Sequence, residues 1–172
     1  YIKEDSNLDK EALKRGTSVY LVNRVIPMLP KVLSNGICSL NPNDDRLTLS
    51  CIMEIDQQGL VVNHTIDNSV IRSCGRLVYD DVSDILEYDD PMQSEKHSFI
   101  LEEIKTMGRL AQILRDKRKK QGSLDFDLDE AVIEVDEMEN PLSIEIEERR
   151  SANRLIEEFM LIANDTVAEH FF

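Results

Sequence analysis

The sequence has little positive charge. Its 20 lysines and arginines stand against 34 aspartates and glutamates, which gives a formal net charge of −14. Proteins that hold nucleic acid through their overall charge are basic, because lysine and arginine neutralise the phosphates. The composition therefore excludes that class of protein, and an RNA ligand would need a local site.

Cysteines and long apolar runs are also scarce. Cys38, Cys51 and Cys74 are odd in number, lack CxxC spacing and lie in apolar, strand-like surroundings. We interpret them as small buried thiols in a reducing compartment, without disulfides or zinc. No apolar stretch approaches the roughly 20 residues that span a bilayer, and the first residues lack a signal pattern. These features predict a soluble, cytoplasmic protein that does not bind a membrane.

The chain of 172 residues is long enough to bury one core, because a domain of this size removes roughly two thirds of its unfolded surface from water. No repeats or low-complexity linkers divide it, which predicts one α+β unit over 1–172. It begins with Tyr1 and not with methionine, so we interpret it as a segment of a longer protein. Such a segment would leave apolar surface open, and self-association is a hypothesis that a strictly monomeric particle in light scattering would contradict.

Two β-hairpins are predicted. Apolar and polar residues alternate from Arg46 to Asp56 and again from Leu60 to Ile66, on either side of a Gln-Gln-Gly turn. Alternation of this kind is typical of strands with one buried face. A second pair, Ala131–Val135 and Ser143–Glu147, flanks a turn that contains Pro141.

The first thirty residues predict shorter elements. Leu8–Arg15 has a helical pattern, with Asn7 as the expected N-cap and Gly16 as the stop. A strand is expected from Thr17 to Val22. The following Ile26–Pro30 contains two prolines, which are incompatible with regular helix, so a stiff and buried connection is expected there.

Three amphipathic helices complete the pattern, at Tyr79–Glu87, His97–Lys120 and Ala152–Glu169. In the second of them, apolar residues recur at alternating spacings of four and three, and basic residues gather at the end, where they favour the helix dipole. The predicted fold class is therefore α+β: a mixed or antiparallel sheet with hairpins packed against amphipathic helices.

The residues of the closing helix fall on three faces. At about 100° per residue its apolar face carries Leu155, Ile156, Phe159, Ile162, Ala163 and Val167. A polar stripe beside that face carries Arg150, Asn153, Glu157 and Asn164, and a third, solvated direction carries Glu158, Asp165 and Glu169. The stripe has the groups to bind a phosphate and a ribose hydroxyl. The alternative is a polar flank with internal hydrogen bonds.

Two groups of cations have the same ambiguity. Arg149 and Arg150 are either phosphate contacts or partners of nearby acids such as Glu147 and Glu148. The basic run Arg115–Lys120 is either an RNA patch or a solvated helix end. Spacing alone decides neither case.

Tyr20, Tyr79 and Phe126 are candidates for stacking on bases, which contributes roughly 1–3 kcal/mol per base; the alternative for each is a place in the core. The three histidines share no ligand spacing, and no nucleophile is identified. Asp125, Asp127 and Asp129 are the one evenly spaced acidic group. They are either solvated or a weak calcium-like site.

Four stretches together resemble a known family. They are LDKEALKRGTSVYLVNRVIPMLPKVLSNGICSLNPNDDRLTLSCIMEID, SVIRSCGRLVYDDV, GSLDFDLDEA and ERRSANRLIEEFMLIANDTVAEHFF. In this order they resemble the catalytic (RNB) domain of the ribonuclease II/ribonuclease R family, and are most similar to bacterial ribonuclease R. The resemblance implies part of an RNB-type catalytic domain in a processive, magnesium-dependent 3′-to-5′ exoribonuclease that releases nucleoside 5′-monophosphates from single-stranded RNA, not from DNA.

The resemblance also implies roles for particular residues. Tyr20 in SVYL and Phe126 in LDF match the aromatics that clamp the last bases. Tyr79 in RLVYDDV matches a tyrosine that sets the cleavage position, and Glu157 in RLIEEF matches the glutamate that senses the ribose with it. Arg150 and Asn153, from the polar stripe, complete the predicted RNA-binding set.

The aspartate cluster that holds the metal in this family precedes the matched region, and neither it nor the arginine that follows the region is in this chain. We therefore expect no catalytic residue and no metal ligand here, Mg²⁺ ligands elsewhere in the longer protein, and an inactive segment. The alternative function is a non-catalytic RNA- or protein-binding module with the same architecture.

Overall fold

The computed structural model describes residues 1–124, 130–136, 138 and 140–172, without the side chains of Glu130 and Glu147. The described residues form two compact units. The first contains Tyr1–Leu47, Val70–Arg76 and a hairpin formed by residues 130–135 and 141–147. The second contains Thr48–Ser69, residues 77–124 and Arg149–Phe172.

The first unit begins with helix α1, Asn7–Arg15. Its N-cap is Ser6 and not Asn7 as predicted, because Ser6 has an extended backbone and its hydroxyl accepts from the Asp9 N–H at 3.2 Å. The helix ends at Gly16, whose φ of 73° is readily adopted only by glycine.

Strands β1 (Val19–Tyr20) and β2 (Val25–Ile26) pair antiparallel, with Val19 opposite Ile26. The strand predicted over 17–22 is shorter, because the chain already turns back where the Leu21 N–H donates to the Arg24 carbonyl at 2.8 Å. Ile26 is 43% exposed, so the prediction of a buried connection at Ile26–Pro30 was wrong. A two-residue ladder is too small to cover the segment that follows it. A short helical stretch, Val32–Ile37, comes next, with a kink at Gly36, whose φ of −101° and ψ of −108° are not helical.

The first predicted hairpin is present as β3 (Asp45–Ile55) and β4 (Val61–Arg72), and its second strand is longer than expected. At the turn, Asp56 Oδ1 accepts from the N–H groups of Gln58 and Leu60, both at 2.9 Å. The second hairpin is also confirmed, as β5 (Glu130–Val135) and β6 (Pro141–Glu147) in antiparallel register.

The second unit contains four α-helices: α2 (Tyr79–Tyr88), α3 (Pro91–Lys96), α4 (Leu101–Lys120) and α5 (Ser151–Phe171). The helix predicted to start at His97 starts at Leu101. His97 instead leaves the helical conformation and places its buried ring 3.0 Å from the Asp81 carboxylate on α2. The α3 segment and a 3₁₀ turn at Ser98–Ile100 therefore precede α4.

The core of this unit lies where α2, α4 and α5 meet. Val82, Ile85, Ile104 and Ala152 are buried there, and Ile85 and Ile104 are each 1% exposed. Gly108 allows α2 and α4 to approach closely, since an added Cβ would lie 2.7 Å from Leu86 Cδ2. Core contacts thus hold three helices whose ends carry the candidate site residues.

Two further predictions about burial were wrong. Glu158, assigned to the solvated direction of α5, is 3% exposed because α4 covers that side of the helix. Cys38 and Cys74 are exposed and Cys51 is only half-buried, since the first two lie in connections outside the strands; all three are free thiols. No helix in the described ranges is long and apolar enough to cross a membrane.

Candidate functional site

Two of the three candidate stacking residues are accessible. Tyr20, in β1 of the first unit, is 78% exposed, and Tyr79, the first residue of α2 in the second unit, is 53% exposed. The alternative that these two rings belong to the core is therefore wrong. Phe126 and the acidic group of Asp125, Asp127 and Asp129 lie outside the described residues.

Tyr79 borders an apolar pocket of about 230 Å³. The pocket is lined by residues from α2, α4, α5 and the segment before α2: Leu77, Val78, Tyr79, Val82, Ile104, Met107, Ala152, Leu155 and Ile156. Ile156 directly precedes Glu157 in the chain. The fold therefore brings the predicted tyrosine to the part of α5 that carries the predicted glutamate, although 77 positions separate Tyr79 from Ile156 in the sequence.

Arg150 connects the start of α5 to three carboxylates of α2. Its Nη2 donates to Asp84 Oδ1 at 2.7 Å and to Glu87 Oε2 at 2.9 Å, and its Nη1 lies 3.6 Å from Asp80. The guanidinium also lies 5.9 Å from the centre of the Tyr88 ring. The hydrogen bonds that Arg150 donates to Asp84 and, second, to Glu87 raise the pKa of Arg150. Its side chain is 20% exposed.

The first backbone donors of α5 also find acceptors on α2. The Ser151 N–H donates to Glu87 Oε1 at 2.9 Å, and the Ala152 N–H donates to the buried Ser83 hydroxyl at 3.2 Å. These N–H groups have no partner within a helix, and a carboxylate beside them also favours the helix dipole. Within α5, Asn153 Oδ1 accepts from the Arg150 N–H at 3.2 Å. The α2 side chains thus cap α5.

Glu157 is paired with Arg149. The Arg149 Nε donates to Glu157 Oε1 at 2.9 Å, and its Nη2 donates to Oε2. The two side chains are 29% and 39% exposed. Internal pairing of the stripe, one of the two alternatives from the sequence, is therefore present for Arg150, Asn153 and Glu157. Their contact with RNA stays a prediction.

Burial acts to raise the pKa of Glu87, but hydrogen bonds from Arg150 and Ser151 outweigh it and lower that pKa to about 2. As the pH falls, the unfolded chain binds a proton at Glu87 before the folded chain does. The free energy of unfolding therefore falls as the pH drops from about 5 towards 2. Allowing for solvent screening of a partly exposed group, we expect Glu87 to account for about 1–2 kcal/mol of that loss.

Urea unfolding at pH 6 and pH 3 measures this effect. Glu87→Gln should unfold more easily than the unsubstituted chain at pH 6, and the difference should shrink at pH 3. The exposed Glu95→Gln is the matched control. A Glu87→Gln difference of equal size at both pH values would contradict the expectation.

The basic end of α4 is used partly inside the protein. Arg118 donates to both oxygens of the buried Glu158, from Nε at 2.9 Å and from Nη2 at 2.5 Å. Lys117 donates to the Gly59 carbonyl at 2.7 Å. These partners are distant in sequence, and no local pattern could have indicated them.

A larger cavity of about 530 Å³ lies between α2, α4 and α5, and sequence reasoning missed it. Its lining has four cations, Lys105, Arg109, Arg115 and Arg154, and two carboxylates, Asp89 and Glu158. Lys105 and Asp89 pair with each other at 2.8 Å. The sequence spreads these residues over 70 positions, so only the helix packing collects them.

The described part of the chain offers no metal centre. It contains no group of three or more histidine, cysteine, aspartate or glutamate side chains arranged to hold a metal ion. His64 and His170 lie in contact, with Nε2 and Nδ1 3.0 Å apart, but they form a pair only. The described residues do not fit a magnesium site.

Comparison with known proteins shows one family. The RNB domain model matches residues 1–172. The chain is 49% identical over 171 residues to ribonuclease R 1 of Lactococcus lactis, covering 99% of this chain and 21% of the relative. It is also 49% identical over 172 residues to ribonuclease R of Thermotoga maritima, covering 99% of this chain and 24% of the relative. The chain thus spans about a fifth to a quarter of the length of these relatives.

The fold gives the same result. Mycoplasma genitalium RNase R, solved in complex with ribose methylated single-stranded RNA, is similar to this chain with a TM-score of 0.86 and 32% identity. The similarity covers 98% of this chain and 26% of that one. It includes the mixed helices and antiparallel hairpins described above. The chain belongs to the RNB domain family.

Proposed function

We propose that the chain is part of a 3′-to-5′ exoribonuclease that hydrolyses single-stranded RNA to nucleoside 5′-monophosphates. The observation that carries the proposal is the match to ribonuclease R over 99% of the chain, at 49% identity. A solved relative, Mycoplasma genitalium RNase R, is in complex with single-stranded RNA. RNA is accordingly the proposed partner.

In this proposal the segment supplies contacts to the RNA. Tyr20 and Tyr79 have exposed rings, as base or sugar contacts require. Tyr79 borders a pocket that Ile156, the neighbour of Glu157, also lines. A 2′-hydroxyl donates to a carboxylate and accepts from a phenol, so this arrangement distinguishes ribose from deoxyribose.

The proposed reaction depends on Mg²⁺ held by residues elsewhere in the longer protein, since the described residues here do not fit a magnesium site. The segment alone is then inactive. With a net charge of −14 it binds RNA weakly. We also propose a cytoplasmic location and self-association of the isolated segment. Exposed apolar residues on β6 favour such association: Leu142, Ile144 and Ile146.

The test follows nucleotide release from a 3′-labelled single-stranded RNA with Mg²⁺. Three proteins are compared: this chain, the full-length protein to which we propose it belongs, and Thermotoga maritima ribonuclease R in which this chain replaces the matching segment. We expect release by the two long proteins and none by the chain alone. Tyr79→Ala should reduce release in both long proteins, because it removes a sugar contact.

Each other outcome contradicts part of the proposal. Release by the chain alone would mean that its own carboxylates bind the metal. A folded but silent full-length protein would contradict the exoribonuclease and favour the non-catalytic module. A silent exchange protein beside an active full-length protein would show that this chain does not transfer the proposed contacts to a relative.

A further inference from the structure

We propose that Arg149 and Arg150 are positioning residues that fix Glu157 and Tyr79 relative to each other and so set the discrimination between ribose and deoxyribose. The inference rests on the proposed function, which assigns ribose sensing to Tyr79 and Glu157. It adds a role for two residues that does not depend on their touching the RNA. Their role follows from where each guanidinium is bound.

Arg149 fixes the orientation of the Glu157 carboxylate. Its Nε and Nη2 donate to different oxygens of that carboxylate, so the pair is bidentate. A bidentate arginine holds the plane of a carboxylate, which a single-point contact from lysine does not. Each carboxylate oxygen accepts about two hydrogen bonds. With one site on each oxygen used by Arg149, the opposite edge remains for a ribose hydroxyl.

Arg150 fixes the helix that carries Tyr79. Its Nη2 binds Asp84 and Glu87, which lie on successive turns of α2. Since α2 is ten residues long and Tyr79 is its first residue, a rotation of the helix at Asp84 moves the Tyr79 ring with it. The Ser151 N–H bond to Glu87 holds the same contact from the backbone.

The two arginines are consecutive in the chain, and for this reason they can position Glu157 and Tyr79 relative to each other. Arg150 has an extended backbone with φ −90° and ψ 178°, immediately before the first turn of α5. In an extended chain neighbouring side chains point to opposite sides. One arginine therefore reaches along α5 to Glu157, and the other reaches across to α2. The positions of Glu157 and Tyr79 therefore both depend on the same short backbone segment, residues 149 and 150.

A purely stabilising role explains the Arg149–Glu157 pair poorly. The Arg149 and Glu157 side chains are 29% and 39% exposed, and ion pairs that accessible add little to stability. Loss of Arg149 should leave the fold intact. A change in ribose discrimination is then separable from unfolding.

The experiment uses the full-length protein and two labelled oligonucleotides, an RNA and the same RNA with a single 2′-deoxynucleotide near the 3′ end. The readout is the cleavage rate of the RNA divided by the cleavage rate of the substrate that carries the 2′-deoxynucleotide. Arg149→Gln should lower the ratio about tenfold by slowing the RNA, as expected when a charged group is no longer oriented for its hydrogen bond. The rate on the deoxy substrate should hardly change. Arg149→Lys should give a ratio between those of Arg149→Gln and the unsubstituted protein. Arg150→Lys should give a lower ratio than the unsubstituted protein.

Arg15→Gln is the matched control, because Arg15 also pairs with a glutamate, Glu11, at 3.0 Å. It should leave the ratio unchanged. A folded Arg149→Gln protein with an unchanged ratio, or with both rates reduced equally, would overturn the inference alone. An unsubstituted protein that cleaves neither substrate would overturn the proposed function. One that cleaves both equally fast would overturn the assignment of ribose sensing to Tyr79 and Glu157, and the inference falls in either case.

Discussion

Replacing Arg118 with alanine should lower the free energy of unfolding of the chain by about 3–5 kcal/mol, because it leaves a buried carboxylate without its partner. Glu158 is 3% exposed, and both of its oxygens accept from Arg118. A buried carboxylate without that partner loses hydration without a compensating interaction.

Urea unfolding at pH 7 measures this effect. Lys119→Ala is the matched control, since Lys119 is the exposed neighbour of Arg118 on α4. The double substitution of Arg118→Met with Glu158→Leu should be less destabilising than Arg118→Ala alone, because it removes both charges. A loss below about 1 kcal/mol, the range of surface ion pairs, would mean that water reaches Glu158.

Ile85→Ala should also destabilise the chain strongly, by about 2–5 kcal/mol. Ile85 is 1% exposed and lies in the cluster that joins α2, α4 and α5. It also lines the larger cavity. Removal of its side chain enlarges that space without giving neighbouring atoms new contacts, and the apolar burial that holds α2 against α5 is lost.

The measurement is again the free energy of unfolding, with Met92→Ala as the control. Met92 is an apolar residue of α3 that is 70% exposed, so its truncation should change stability little. Equal effects of the two substitutions would contradict the assigned core. We also expect Ile85→Ala to weaken the link between Arg150 and Glu87, because both groups depend on the same helix contact.

Local patterns predicted the elements well. Alternation located the first hairpin, the turn at Pro141 located the second, and the apolar spacing located α2, α4 and α5. Each apolar pattern reflects one buried face on one element. The errors are at positions where contacts distant in sequence override local preference. The helix predicted to begin at His97 begins only at Leu101, because His97 instead binds Asp81. Glu158, placed with the solvated residues, is buried because Arg118 lies across it.

The candidate site also has a part that local sequence predicted and a part that depends on contacts distant in sequence. The motifs around Tyr20, Tyr79 and Glu157 indicated the family, and the family comparison bears that out. For Arg149 and Arg150 the sequence left two alternatives, since phosphate contacts and internal ion pairs need the same residue types. In the structure these arginines donate hydrogen bonds to Glu157, Asp84 and Glu87. No spacing along the chain predicts the pairing with Asp84 and Glu87.

By itself the sequence determined the family, the order of helices and hairpins, and the acidic balance that excludes binding of nucleic acid through overall charge. These depend on composition and on short-range periodicity, which the chain carries whatever its tertiary contacts. Only the tertiary structure decided which charges are buried, which arginine holds which carboxylate, and that Tyr79 lies beside the helix of Glu157. Apart from Arg149 and Glu157, which are eight positions apart, the groups concerned are 40 to 80 positions apart, and their pairing depends on how helices pack and not on their local sequence.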